Sequence, residues 1–381
     1  MKILLTVHHN LTPDSGAPGI TFRLSRYFKM AGHDVTIFSF SDLPSCFPEV
    51  LKKILFPFFV AVRIFKSGRK KGFDVVDSST GDNWIWASVV KRFREFKPLL
   101  VTRSHGFELL ADKRLKKEAK RGNLKLSWRY PLFHGGLMLW YVALSVRKSD
   151  VVLFLNSTER DYAVQRLRLD PRRTIIVQHD ISDLFANLPF YSIKKNTTPA
   201  IAVTGSFITK KGISYSMPAL RKLLTLHSHL RVKFLGTGPC VRSIVNLFSS
   251  CEKERIEIYP SYRNKDLPDL LRDCQIALLP SISEGFGIAL IESMACGLAP
   301  VASAIDGPLD YIKNGENGLL ISPGSVEEIV TGINSLLRDK RYLENLRMRA
   351  WITAQHYCSR KNSNHQLAVY EEFMKKAKAN I

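Results

Sequence analysis

Apolar residues recur along this chain in short, nearly unbroken runs. "KILLTV" (2–7), "DVTIFSF" (34–40), "FDVVDSS" (73–79), "PLLVTRS" (98–104), "DVVLFLN" (150–156) and "RTIIVQH" (173–179) are of this kind. A strand with one wet face alternates apolar and polar residues, whereas a strand covered on both faces does not. The runs therefore predict buried parallel strands. Segments between them, such as 20–31 and 158–168, carry helical spacing. The alternation predicts an α/β, doubly wound domain. It pauses at "YSIKKNTTPA" (191–200), a polar stretch ending in proline that reads as a linker. It restarts with "AIAVTGS" (200–206), "LRVKFLG" (230–236), "RIEIYP" (255–260), "CQIALLP" (274–280) and "LAPVAS" (298–303). Two Rossmann-like halves in tandem are expected, over residues 1–190 and 197–358. The tail, 359–381, reads as an amphipathic helix ending in lysines, which suit a helix C-terminus.

The 381 residues are enough for about two domains with ample cores, and 45% hydrophobic content is that of a globular protein. Charge changes the picture. A formal net charge of +22 points to an anionic partner: nucleic acid, a membrane surface or phosphorylated ligands. Lys113, Arg114, Lys116, Lys117, Lys120, Arg121, Lys125 and Arg129 crowd one stretch, and Lys66, Arg69, Lys70 and Lys71 form another. Such runs are often plain solvated faces. Here Trp128, Tyr130, Phe133 and "GLMLWYVAL" (136–144) follow the first run, a combination that suits an anionic lipid surface. No uncharged apolar stretch reaches the roughly 18 residues of a spanning helix. "PLFHGGLMLWYVALSV" (131–146) and "ILFPFFVAVRIF" (54–65) come nearest. The N-terminus lacks the pattern of a signal peptide. Six scattered cysteines show no zinc spacing, so reduced thiols in a cytosolic protein are expected.

In open α/β folds ligands bind outside the carboxyl ends of the strands. Four loops there carry suitable chemistry. After the first strand, "HHNLTPDSGAPGITFRL" places Gly16 and Gly19 before a helix expected near Ile20, where free amides suit an anion. It is not a GxGxxG, and a plain tight turn is the competing explanation. In "TRSHGFE" (102–108), His105 ends a strand and precedes a glycine, so its ring could face a ligand or serve the structure alone. In "VTGSFITKKGISY" (203–215), Lys211 stands before Gly212 and a helix start, placed for a phosphate. In "LLPSISEGFGIALIESMACGLAPVAS" (278–303), a strand feeds a glycine turn and a helix expected near Phe286. The amides of Gly285, Phe286, Gly287 and Ile288 suit an anion. Glu284 and Glu292 lie at most about 12 Å apart along a helix axis, roughly the span from the sugar to the ribose of a nucleotide-sugar. A paired acid/base role is the other functional option.

"EGFGIALIE" followed by "SMACGLAPVAS" closely resembles the signature of the retaining GT-B glycosyltransferases of family four. The likeness extends to the glycine loop after the first strand, "HG" at 105–106, "KKG" at 210–212, "GTGP" at 236–239 and "NGENGLLISPGS" at 314–325. The resemblance implies two Rossmann-like domains around a cleft, with a nucleotide-sugar held mostly by the second and the last helix crossing back to the first. By it, Glu284 would contact the donor sugar's hydroxyls and Glu292 the ribose. Gly285 to Ile288 would offer amides to the sugar and diphosphate, beside Gly205 and Ser206, and Lys211 would neutralise the leaving diphosphate. Gly16 and Gly19 would close over the phosphates, and His105 would lie near the transferred sugar. Where the family usually has an arginine this chain has Ser206, for which Lys210 and Arg263 are the candidate substitutes.

These expectations make the chain a retaining, metal-independent glycosyltransferase on the cytoplasmic face of a membrane. It would need no cofactor, its donor would be a nucleotide-diphosphate sugar, and its acceptor a lipid-linked or cell-envelope glycan. The family's usual route is front-face departure, the leaving phosphate helping to deprotonate the acceptor. No Asp-x-Asp pair of the kind used by metal-dependent GT-A enzymes is present. The alternatives are an epimerase or phosphorylase on the same scaffold, or a basic nucleic-acid-binding protein. Against the last, the basic clusters match no nucleic-acid motif, so no nucleic-acid partner is expected.

Overall fold

The computed structural model describes every residue except 15, 69–71, 94–96, 195–197, 380 and 381 and the side chain of 378. Three of the four residues of the second basic cluster, Arg69, Lys70 and Lys71, therefore lie outside the described residues, as do the middle of the expected linker and the end of the tail. Twelve strands are described. Those of the first sheet are β1 (Lys2–Val7), β2 (Asp34–Ser39), β3 (Val75–Ser79), β4 (Leu99–Arg103), β5 (Val151–Phe154) and β6 (Thr174–Ile176). Those of the second are β7 (Ala200–Thr204), β8 (Arg231–Leu235), β9 (Ile256–Tyr259), β10 (Ile276–Leu279), β11 (Ala299–Ser303) and β12 (Leu319–Ile321). The orders are β2-β1-β3-β4-β5-β6 and β12-β11-β10-β7-β8-β9, with parallel pairing throughout both.

These orders fix where ligands can sit. In a doubly wound sheet the crevice opens where successive connections run to opposite sides. That point falls between β1 and β3 in the first sheet and between β7 and β10 in the second.

Contacts divide the chain into two compact units. One comprises Met1–Lys113, Leu126–His179 and Arg360–Ile381, and the other Arg114–Lys125 and Asp180–Ser359. The first core has two parts. Leu4, Val76 and Leu100 pack with Phe56, Val60 and Ile64 of the helix Glu49–Ser67. Val152 and Phe154 pack with Phe107, Val142 and Val146. In the second unit, Ile201, Val232, Ile276 and Val301 meet Leu220, Leu223 and Leu224 of the helix Ile213–Leu226. Each such fully buried side chain contributes about 1.5–3 kcal/mol, which is why the near-continuous apolar runs become central strands.

Three expectations shift. The first helix begins at Gly16, not near Ile20, and runs to Met30. The helix after β10 begins at Ile288, two residues beyond Phe286. The three-residue β12 is an additional strand. No helix among the described residues is long and apolar enough to cross a membrane. The first basic run is partly spent inside the fold: Arg114 grips Asp306 through two bonds of 2.6 and 2.7 Å within the second unit, and Lys113 lies 5.1 Å from the Tyr162 ring centroid within the first.

The last helix, Lys361–Ala379, is tied to the first sheet by a buried polar network. Arg103 Nε donates to Asp77 at 3.1 Å, both side chains being at most 2% exposed. Tyr370 and Gln366 of the helix also donate to Asp77, Gln366 at 2.7 Å. Arg103 Nη2 donates to Thr21 of the first helix at 3.3 Å. Removing one partner of a buried ion pair leaves an uncompensated charge and costs about 3–5 kcal/mol. Arg103→Met is thus expected to lower the denaturant-measured stability by that amount and to expose the C-terminal helix to limited proteolysis.

Candidate functional site

The second unit brings two of its loops together at the β7/β10 switch point. β7 runs into Gly205, at φ +129°, then Ser206 and a short turn, Thr209–Lys211. Gly212 follows at φ +74°, and a Cβ there would sit 1.9 Å from the carbonyl oxygen of Pro280. Only glycine allows that approach and that backbone conformation together. The Ile282 amide donates to the Lys210 carbonyl at 2.9 Å, so the two loops are joined through their backbones.

On that frame Lys211 Nζ meets Glu284 Oε2 at 2.5 Å, with Ser281 Oγ at 3.4 Å from the same oxygen. Burial works to raise the Glu284 pKa. The charges of Lys211 and Lys210 and the bonds from Lys211 and Ser281 outweigh it and hold the carboxyl below its ordinary value. Lys210 therefore stands close enough to act on this site. Arg263, the other candidate substitute for the arginine replaced by Ser206, bonds Asp266 at 2.7 and 3.1 Å.

Gly287, at φ +83°, starts the helix Ile288–Ala295, and a Cβ on it would meet the Tyr311 hydroxyl at 2.7 Å. Phe286 is buried edge-on against Tyr311 and Tyr357, with centroids at 5.8 and 5.5 Å. Gly307 gives its backbone room, since a Cβ there would lie 2.7 Å from the Phe286 Cα. The first amides of a helix have no acceptor within it, and the N-cap here, Gly287, has no side chain to bond them. Glu292, buried in the same helix, accepts from Asn264 Nδ2 at 3.4 Å. Ser281, Asn264 and Tyr311 escape sequence reasoning because their roles depend on contacts between separate loops.

In the first unit, Gly16 is the first residue of its helix, and a Cβ on Gly19 would meet the Pro13 carbonyl oxygen at 2.6 Å. His105 follows β4. Its Nε2 lies 3.1 Å from Ser79 Oγ, and Ser79 Oγ donates its one proton to the Thr6 carbonyl at 3.0 Å. Nε2 must therefore carry the imidazole proton, which leaves the buried and unpartnered Nδ1 as an acceptor. The ring stacks on His179 at 5.8 Å. Burial, then the charges of Arg103 and His179, push the His105 pKa well below 6.5, and His179 is lowered likewise by burial and then Arg103. The site keeps a neutral imidazole.

A further constellation, invisible as a motif, lies at the β1/β3 switch point. His8 Nδ1 and Asp82 Oδ1 are 2.8 Å apart beside a cavity of about 230 Å³. A larger cavity, about 740 Å³, instead adjoins Phe73, Leu99 and Asp150 at the strand N-termini, the end of the sheet that doubly wound folds do not use for ligands.

Two tandem Rossmann-like units, each with a glycine-backed switch point, define a GT-B architecture. The chain belongs to the group 1 glycosyltransferases of this type. A family model described as "Glycosyl transferases group 1" matches residues 186–351, and one described as "Glycosyltransferase Family 4" matches residues 15–179. The UDP-Gal:alpha-D-GlcNAc-diphosphoundecaprenol alpha-1,3-galactosyltransferase of Escherichia coli is 20% identical over 292 residues, covering 73% of this chain and 70% of that protein. Several other curated relatives are matched over only 37–39% of their own length. The fold is also that of sucrose-phosphate synthase from Thermosynechococcus elongatus, with TM-score 0.78, 17% identity and coverage of 98% and 99% of the two chains. Anabaena HepE in complex with UDP-glucose has TM-score 0.70, 16% identity and full coverage of both chains.

The buried histidines give a pH prediction. Each folded pKa lies below the unfolded 6.5, so the unfolded chain takes up protons first as pH falls. Their contribution is fully present above 6.5 and is lost as pH drops toward the folded values. Denaturant titrations from pH 8 to pH 5 are expected to show falling stability, with a shallower fall in the double variant His105→Gln, His179→Gln.

Proposed function

We propose that this protein transfers a sugar from a nucleotide-diphosphate sugar to an acceptor hydroxyl, with retention of configuration and no requirement for a metal ion. The observation that carries the reading is the Lys211–Glu284 pair set beside the glycine-started helix Ile288–Ala295 at the β7/β10 switch point. The diphosphate would lie on the amides of Gly285 to Ile288, alongside Gly205 and Ser206. Lys211 would turn from Glu284 to the phosphate as the donor enters. Glu284, released, would accept hydrogen bonds from the sugar hydroxyls, and Glu292 from the ribose. The Anabaena protein whose fold this chain shares is described with UDP-glucose bound, which supports a donor of this class.

As the sugar's anomeric carbon separates from the phosphate oxygen, the electron pair leaves with the diphosphate. Lys211, Lys210 and the helix amides stabilise the growing charge, the service a divalent ion performs in other transferases. The acceptor oxygen bonds the anomeric carbon on the face being vacated, and its proton passes to the departing phosphate oxygen. Within the first unit, the turn holding Gly16 and Gly19 offers a close-approach backbone of the kind an anion needs. The acceptor class is a lipid-linked or cell-envelope glycan, in keeping with the diphosphoundecaprenol acceptor named for the Escherichia coli relative.

The protein would work at the cytoplasmic face of an anionic membrane. Trp128, Leu132, Trp140 and Phe58 of the first unit are 75%, 69%, 51% and 53% exposed, and Arg129 stacks over Trp128 at 5.0 Å. Basic residues among exposed aromatic ones suit a lipid interface.

In a metal-free thermal-shift panel of UDP-, GDP- and ADP-sugars, one nucleotide class is expected to stabilise wild type and to do so less with Glu292→Gln. Lys211→Ala is expected to lower kcat by about 10²–10³-fold, whereas added EDTA leaves it unchanged. Co-sedimentation with vesicles should rise with their anionic lipid content. Indifference to it would remove the membrane reading.

A further inference from the structure

We infer that Tyr311 is a positioning residue for Glu284. Its hydroxyl receives the carboxylate when Lys211 leaves it for a phosphate, and holds it towards the donor sugar. This rests on the transferase reading above and adds to it a residue that no motif announces.

Tyr311 ends the helix Asp306–Tyr311, and its place is fixed from several sides. Its carbonyl accepts from Asn317 Nδ2 at 2.8 Å. Its ring meets Phe286 and Tyr357 edge-on, with centroids at 5.8 and 6.2 Å. The residue is 5% exposed, and its hydroxyl oxygen is buried with no hydrogen-bond partner among the described residues. The large majority of buried polar side-chain atoms are partnered, so an orphan of this kind calls for an explanation. A ring packed on two sides does not swing its hydroxyl out to water. The partner has to come to it.

Glu284 is the acceptor at hand. A Cβ on Gly287 would stand 2.7 Å from the Tyr311 hydroxyl and 3.6 Å from Glu284 Cγ, so the two side chains flank one glycine. Lys211 and Ser281 both bond Glu284 Oε2, and Oε1 accepts nothing from the described residues. Rotation about the Cβ–Cγ bond keeps Cγ in place and sweeps both oxygens around it, so the carboxylate changes partners without backbone movement. Burial raises the Tyr311 pKa well above 10, and the negative charge of Glu284 is the next cause. The phenol therefore keeps its proton and is offered as a donor.

While Lys211 holds Glu284, the ion pair is complete and the phenol is idle. Once the lysine turns to a phosphate, the carboxylate loses its counter-ion in a partly buried place, where an unpaired charge is costly. A phenolic bond stabilises the ionised form and leaves further lone pairs for sugar hydroxyls. The unpaired hydroxyl is thus a cost to the unliganded protein that donor binding removes.

The test is Tyr311→Phe in the full chain, which keeps both ring contacts and removes only the oxygen. Denaturant unfolding is measured without ligand. Calorimetry measures binding of UDP-, GDP- and ADP-sugars and of the matching nucleoside diphosphates. Because the hydroxyl has no bond to lose, the variant is expected to unfold at the same denaturant concentration as wild type or a higher one. Its affinity for the nucleotide-sugar should fall at least tenfold, while that for the nucleoside diphosphate changes less than twofold. On a Glu284→Ala background the same substitution should change nucleotide-sugar affinity less than twofold, since the acceptor is gone. Unchanged nucleotide-sugar affinity in Tyr311→Phe would overturn the assignment. So would an equal loss of both ligands with lowered stability, the mark of a ring that only packs, or a tenfold loss that persists on the Glu284→Ala background. Wild type that binds neither ligand class would overturn the transferase reading itself, and this assignment with it.

Discussion

The contact of Lys211 with Glu284 depends on a backbone arrangement that tolerates almost no change. Gly212 lies where any Cβ would collide with Pro280, so the loops after β7 and β10 pack main chain to main chain. That closeness puts an ammonium and a carboxylate 2.5 Å apart at the mouth of the second sheet. A phosphate placed there would compete with the carboxylate for the same lysine, so the pair holds the cation in position until a ligand takes over one of its partners. Gly287 and Gly307 extend the same principle to Phe286 and to the start of the following helix, whose amides carry the rest of the positive potential.

The first unit solves a different problem, that of keeping a histidine neutral. Arg103 sits within the sheet beside His105, and its charge opposes protonation of the ring. Asp77, Tyr370 and Gln366 make the burial of that arginine tolerable. Ser79 and the Thr6 carbonyl then choose which ring nitrogen carries the proton. The C-terminal helix thus belongs to the chemistry of the first sheet through Asp77, although it follows the whole second unit in sequence.

Eleven of the twelve strands announce themselves in the sequence, the central ones because they are buried on both faces and read as nearly continuous apolar runs. β12 does not, because its apolar run is only Leu319, Leu320 and Ile321, set between the turn residues Gly318 and Ser322–Pro323. The first helix starts earlier than its apolar spacing suggests, since Gly16, Ala17 and Pro18 form its opening turn without contributing periodicity. Glu284 and Lys211 are legible because each adjoins a glycine that marks a close approach, and Glu292 through its spacing from Glu284. His8 and Asp82 are not: they are 74 residues apart and meet only through the pairing of β1 with β3. Charge misleads as well as informs. Arg114 looks like part of a basic face and is instead committed to Asp306.

The central claim is that a nucleotide diphosphate occupies the β7/β10 switch point and takes Lys211 from Glu284. A crystal structure with the nucleoside diphosphate of the donor class addresses it directly. The account predicts phosphate oxygens on the amides of Gly285 to Ile288 and on Lys211 Nζ, with the Lys211–Glu284 bond broken. A diphosphate bound elsewhere, or bound here with Lys211 still on Glu284, would contradict it.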